Sequence, residues 1–168
     1  MIDKNILNKH IKRFLELRLG RHLVPTPYFI NYLRKKDLRV MVGKGTPDEI
    51  ETEFKIWAKV KNFKYENAEI SEIRNFLCEV GIGIDCSGFV VHVLNEYLKE
   101  VKNKSIWKLF RLPKDYPIYL RIGYLLRPAE KLGVKIITSD DNSYMVQLKD
   151  VSELDLIKST AKKNNSEH

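Results

Sequence analysis

Cys86 stands in the run Gly83-Ile84-Asp85-Cys86-Ser87-Gly88-Phe89, a setting that suits a nucleophile. Glycines break the chain before it, and the apolar spacing after it, at Phe89, Val90, Val93, Leu94 and Tyr97, is helical. A cysteine in the first turn of a helix gains three things. The helix N-terminus favours an anion, the loop exposes the sulfur, and backbone N–H groups without a partner inside the helix can hold a developing oxyanion. Asp85 suits the cap of that helix, and Gly88 removes a side chain that would obstruct a substrate. The competing account is structural: cysteine is among the residues most often buried, and Asp-Cys-Ser-Gly is a serviceable helix start in its own right.

The other chemically capable residues compare poorly. His92 lies six residues after Cys86, or about 600° around a helix, so it faces elsewhere and cannot be the partner within that helix. His10 and His22 fall in a basic N-terminal stretch, where surface exposure is the ordinary expectation. Cys78 is eight residues from Cys86, a spacing without the Cys-x-x-Cys turn of a redox pair, and its apolar neighbours predict a buried, inert thiol. Gly43-Lys44-Gly45-Thr46 is too short for a phosphate loop and lacks the closing Lys-Ser/Thr pair. No His or Cys sits at metal-ligand spacing from the two cysteines, so no metal and no cofactor is implied.

The elements that must position Cys86 read as follows. Asn5 to Leu19 places Ile6, Leu7, Ile11, Phe14, Leu15 and Arg18 at helical spacings, and Gly20 offers a stop. Val24-Pro25-Thr26-Pro27 is a breaker, and the aromatic run from Tyr28 to Leu33 is a strand or a short helix. Thr46, Pro47 and Glu49 make a capping box with proline at the first helical position, followed by an apolar face of Ile50, Phe54, Trp57 and Val60. Ile70 to Val80 is a further helix, with Ile73, Phe76 and Leu77 inward and Glu69 or Ser71 at its start. The helix from Cys86 to about Lys99 is apolar on more than one side and reads as central.

Residues 102–128 mix aromatic, basic and proline positions and supply either a wall of a substrate groove or a helical cover for the core. Val134–Thr138, Tyr144–Leu148 and Leu154–Ile157 are short, branched-rich and turn-bounded, which predicts strands. Helices followed by strands predict an α+β fold.

The chain has 168 residues, 43% of them hydrophobic, enough for one domain with an ordinary core. Its net charge is +8, and residues 1–40 hold ten Lys or Arg against three acids. Such a stretch is ordinarily a solvated helix face; a docking arm for an anionic polymer or nucleic acid is the alternative. No apolar run is long enough for a transmembrane helix, and the start Met1-Ile2-Asp3-Lys4-Asn5 has no secretory signal, so a cytoplasmic protein is expected unless another export route exists.

Asp85-Cys86-Ser87-Gly88-Phe89-Val90 resembles the nucleophile motif of the NlpC/P60 family of papain-like cysteine peptidases. Leu154-Asp155-Leu156-Ile157, the polar turn Lys162-Lys163-Asn164-Asn165 and His168 are similar to the family's second motif, with Glu153-Leu154 where the family usually shows Pro-Gly. The resemblance spans residues 81–168. It implies a papain-like domain over 46–168 preceded by a basic helical arm over 1–45, with catalytic Cys86 and His168 and with Asp85 and Ser87 binding the amine end of a peptide or amide substrate of bacterial cell-wall type. Family members continue past that histidine with a further strand and a third polar residue, so the domain is expected to be incomplete at its C-terminus. The rival expectation is a catalytically inactive papain-like module that docks to an anionic polymer through residues 1–40.

Overall fold

The computed structural model describes residues 3–28, 38–150 and 155–156. The chain opens with helix α1, Lys4–Leu15, whose N-terminal N–H groups of Asn5 and Ile6 are taken by the Asp3 carboxylate. The helix stops four residues before the predicted Leu19. Leu17–Leu19 forms strand β1 and pairs antiparallel with β2, His22–Val24, in the register Leu17 to Val24 and Leu19 to His22. Gly20, at φ +64°, is therefore a hairpin residue and not a helix stop. Leu17 and Leu19 are both fully buried with Arg18 outward, a period of two that overlaps a helical one at Phe14 and Arg18.

Helix α2, Pro47–Val60, starts on the predicted capping box: Glu49 N–H donates to Thr46 Oγ1 at 3.2 Å, and Thr46 N–H donates to Glu49 Oε2 at 2.8 Å. Ile50 and Phe54 are fully buried and Ala58 nearly so, while Trp57 packs at the edge and Val60 projects outward. Helix α3, Ile70–Glu79, buries Ile73, Phe76 and Leu77 as expected. Cys78 is on its outer face and exposed, contrary to the expectation of a buried thiol. It directly follows Leu77, and the inward stripe of α3 is already complete with Ile73, Phe76 and Leu77.

Helix α4, Cys86–Lys102, lies between two apolar clusters. Val93 belongs to the first, with Phe14, Leu17, Leu19, Val24, Val40, Ile50, Phe54, Ile73, Leu77, Ile82 and Ile84. The residues expected as an arm over 1–45 thus supply much of the same core as α2 and α3. Several of their charges are also engaged: Lys9 pairs with Glu100 at 2.8 Å, Arg13 with Asp48 at 2.7 Å and with Glu51, and Arg39 with Glu49 at 3.0 Å. His10 is half-buried against Glu100 and His22 against the Glu66 carbonyl, where open exposure was expected for both.

Val91 faces the second cluster, formed with Ile106, Tyr124, Leu132, Ile136 and Ile137. Helices α5 (Ile118–Leu126), α6 (Pro128–Lys131) and α7 (Val134–Ile137) build it, and the Tyr124 hydroxyl donates to the Trp107 carbonyl at 2.7 Å. Residues 102–128 are thus a helical cover.

The predicted strand Val134–Thr138 is instead the single turn α7. Ile136 and Ile137 are adjacent and both buried, which a one-sided strand does not allow. Residues 144–147 form no strand either, and Leu148–Asp150 is a 3-10 turn. Of the third predicted strand only Asp155 and Leu156 are described, and neither is in a strand. The fold is α+β in the coarse sense, helices around a two-stranded antiparallel hairpin, and among the described residues the one sheet lies at the N-terminal side. Among the described residues no helix is long and apolar enough to cross a membrane.

Candidate active site

The segment leading to Cys86 is held on two sides. Gly81, at φ +72°, ends α3, and the chain then runs extended through buried Ile82 and Ile84. Ile84 bridges Tyr28 in parallel and Lys44 in antiparallel fashion. Its N–H donates to the Pro27 carbonyl at 2.9 Å, and the Asp85 N–H donates to the Gly43 carbonyl at 3.0 Å. Three distant pieces of sequence meet here, so Tyr28 and Lys44 flank the start of α4.

Asp85 caps that helix as predicted, accepting from the Gly88 N–H at 2.6 Å. Cys86 occupies the first helical position and is exposed. Neither its N–H nor that of Ser87 can find an i−4 carbonyl inside α4, and of the two residues only Cys86 is exposed. Gly88 has a different role from the one expected. A Cβ there would lie 2.2 Å from the Gly43 carbonyl oxygen, so its missing side chain admits the neighbouring backbone, not a substrate. Gly43 reciprocates at φ +70°, where a Cβ would stand 2.7 Å from the Asp85 nitrogen.

Lys44 is the residue that sequence reasoning passed over. It is 7% exposed, and its ammonium donates to Asp85 Oδ1 at 2.9 Å and to Ser87 Oγ. Ser87 in turn lies 3.1 Å from the same carboxylate oxygen. Ser87 is buried, and its hydroxyl is engaged with Lys44 and Asp85. The signal for Lys44 was its place in Gly43-Lys44-Gly45-Thr46, just before a helix cap. The glycines there serve close backbone approach, with a Cβ on Gly45 meeting Val40 Cγ2 at 2.8 Å, and not phosphate binding.

Tyr28 was placed only in an undecided aromatic run. Its hydroxyl borders Cys86: its pKa is raised by desolvation first, then by the neighbouring Cys86 and by the charge of Asp85. Comparison with protein-family models, with curated proteins and with solved structures finds no match. His168, Leu154, Ile157 and the turn Lys162-Lys163-Asn164-Asn165 lie outside the described residues. Among the described residues no three His, Cys, Asp or Glu side chains gather as a metal site.

His92 is 4% exposed, and its Nε2–H donates to the Lys44 carbonyl at 2.8 Å. It therefore fastens the Lys44 segment to α4, which fits its expected orientation away from Cys86. Desolvation lowers its pKa, and the Lys44 carbonyl, Glu49 and Glu96 only partly offset this, with Arg39 adding to the lowering. The sign follows directly. The unfolded chain takes up this proton near its ordinary pKa of about 6.5, while the folded chain resists it, so acid favours unfolding. Stability should be full above about pH 6.5 and should fall as the pH drops toward the folded pKa. His92→Gln keeps a donor for the carbonyl and removes the titration. Denaturant unfolding at pH 7.5 and 5.5 should show a smaller loss for H92Q than for the natural chain; an equal loss would contradict the assignment.

Proposed function

We infer that the protein is a cysteine hydrolase of peptide or amide bonds, papain-like in its nucleophile half. The observation that carries this reading is an exposed Cys86 at the first position of a 17-residue helix, capped by Asp85 and bordered by Tyr28. The local resemblance of residues 85–90 to the NlpC/P60 nucleophile motif supports a substrate of bacterial cell-wall peptide type.

In this reading the Cys86 thiolate attacks the amide carbonyl, and backbone N–H groups at the start of α4, that of Cys86 among them, steady the oxyanion. The carbon–nitrogen bond then breaks, and the leaving amine takes a proton from His168, the base implied by the resemblance. Water, losing a proton to His168, attacks the thioester and restores the thiolate. An amine in place of water would give acyl transfer. Asp85 and Ser87, being tied to Lys44, act first by fixing the start of α4.

The internal pairing of Lys9, Arg13 and Arg39 gives the rival docking role of residues 1–40 less support. The test uses two thiols that are both exposed, so access alone does not separate them. A peptide-derived electrophile at neutral pH should label Cys86 about tenfold or more faster than Cys78, a difference of ~1.4 kcal/mol in barrier, and the protein should release amine from wall-type peptides. Equal labelling of the two thiols with no amine release would sink the reading.

A further inference from the structure

Helix α5 has two apolar faces and only one of them is covered. Tyr124 is 7% exposed and joins the second cluster, whereas Ile118, Tyr119, Ile122, Leu125 and Leu126 are 72%, 68%, 51%, 78% and 76% exposed. At about 100° per residue, these five fall within an arc of about 120° opposite Tyr124. Isolated exposed apolar residues need no explanation, but five large ones on one stripe of a nine-residue helix form a patch.

The borders of this stripe are cationic. The Lys131 side chain lies along α5 at Gly123, its Cε 3.2 Å from where a Cβ would stand. Arg121 flanks the other edge, its guanidinium donating to the carbonyls of Pro113, Lys114 and Tyr116. Arg127, 58% exposed in its side chain, closes the C-terminal end. Residues 104–135 as a whole contain eight Lys or Arg and two acids, Asp115 and Glu130, and Glu130 is already shared by Arg39 and Arg127.

We propose that this face of α5 is a membrane-docking surface that lies flat in the interface of a bilayer containing anionic lipid. A helix of nine residues is ~13 Å long, too short to cross a bilayer and suited to lying in its headgroup boundary with the apolar side chains down. The basic border selects the partner. An anionic lipid surface complements it, whereas a second copy of the chain would bring the same positive charge to the contact. The inference is independent of the chemistry at Cys86, so either can fail without the other.

The experiment is cosedimentation of the full chain with vesicles of phosphatidylglycerol and phosphatidylcholine, with pure phosphatidylcholine vesicles alongside. The chain should partition onto the anionic vesicles at least tenfold more than onto the neutral ones, and 0.5 M salt should weaken binding. The triple variant Ile122→Ser/Leu125→Ser/Leu126→Ser alters only exposed positions; it should keep the unfolding midpoint and lose at least tenfold in partition. Absence of vesicle binding by the natural chain, or binding that the triple variant retains, overturns the proposal. So does a dimer in solution that the triple variant dissolves while vesicles are ignored, since the face would then belong to a second copy.

Discussion

Gly88→Ala is expected to remove a large part of the protein's stability. The added methyl would lie 2.2 Å from the Gly43 carbonyl oxygen, which is backbone and cannot swing aside as a side chain would. Gly43 is itself constrained, with φ +70° and its carbonyl accepting the Asp85 N–H at 3.0 Å. Relief therefore requires α4 to move away from the segment that carries Lys44, breaking the Asp85–Lys44 pair and the His92 bond together. A cost of about 4 kcal/mol is at the upper end for single substitutions and is a large part of the 5–15 kcal/mol that an ordinary domain holds. Gly133→Ala is the control, because nothing lies within 4 Å of a Cβ there; it should cost no more than about 1 kcal/mol. Denaturant midpoints measure both. If G88A were as stable as G133A, the close contact between α4 and Gly43 would not exist as described.

What the sequence disclosed about this region was what is local in the chain. The Thr46-Pro47-Glu49 box and the Asp85 cap depend on bonds over three residues, and both were readable because the residue types alone select that geometry. The inward set of α3, Ile73, Phe76 and Leu77, was readable for the same reason. Contacts between distant segments were not. Lys44 reaches Asp85 and Ser87 across more than forty residues, and Tyr28 meets the Ile84 segment across more than fifty. Nothing in the neighbours of either residue announces a partner so far away. The misread elements share another cause: Leu17-Arg18-Leu19 and Val134-Lys135-Ile136-Ile137 are three or four residues long, too short for periodicity to distinguish helix from strand. Packing decided both, against helical spacing in the first and against β propensity in the second.

Lys44→Met tests whether the cluster at the start of α4 is held by charge. The Lys44 side chain is 9% exposed and that of Asp85 21%, so the pair is shielded from water on the lysine side and only partly on the other. Removing one member of a fully buried pair typically costs 3 to 5 kcal/mol, roughly, because the remaining charge is left without compensation. Asp85 keeps the Gly88 N–H, the Ser87 hydroxyl and some access to solvent, which lowers the expected loss to about 2–3 kcal/mol. Ser87 would also lose its closest partner, and the turn that presents Cys86 would loosen. Electrophile labelling of K44M should therefore change in rate at Cys86 and stay constant at Cys78, which is on the outer face of α3. A double-mutant cycle with Asp85→Asn separates charge from packing. Asparagine retains the cap on Gly88 but carries no charge to strand, so K44M in that background should cost about 1 kcal/mol or more less than in the natural chain. Additive costs would show that the Lys44 ammonium acts independently of the Asp85 charge, through Ser87. A K44M chain within about 0.5 kcal/mol of the natural one would mean that the ion pair contributes nothing to holding the nucleophile in place.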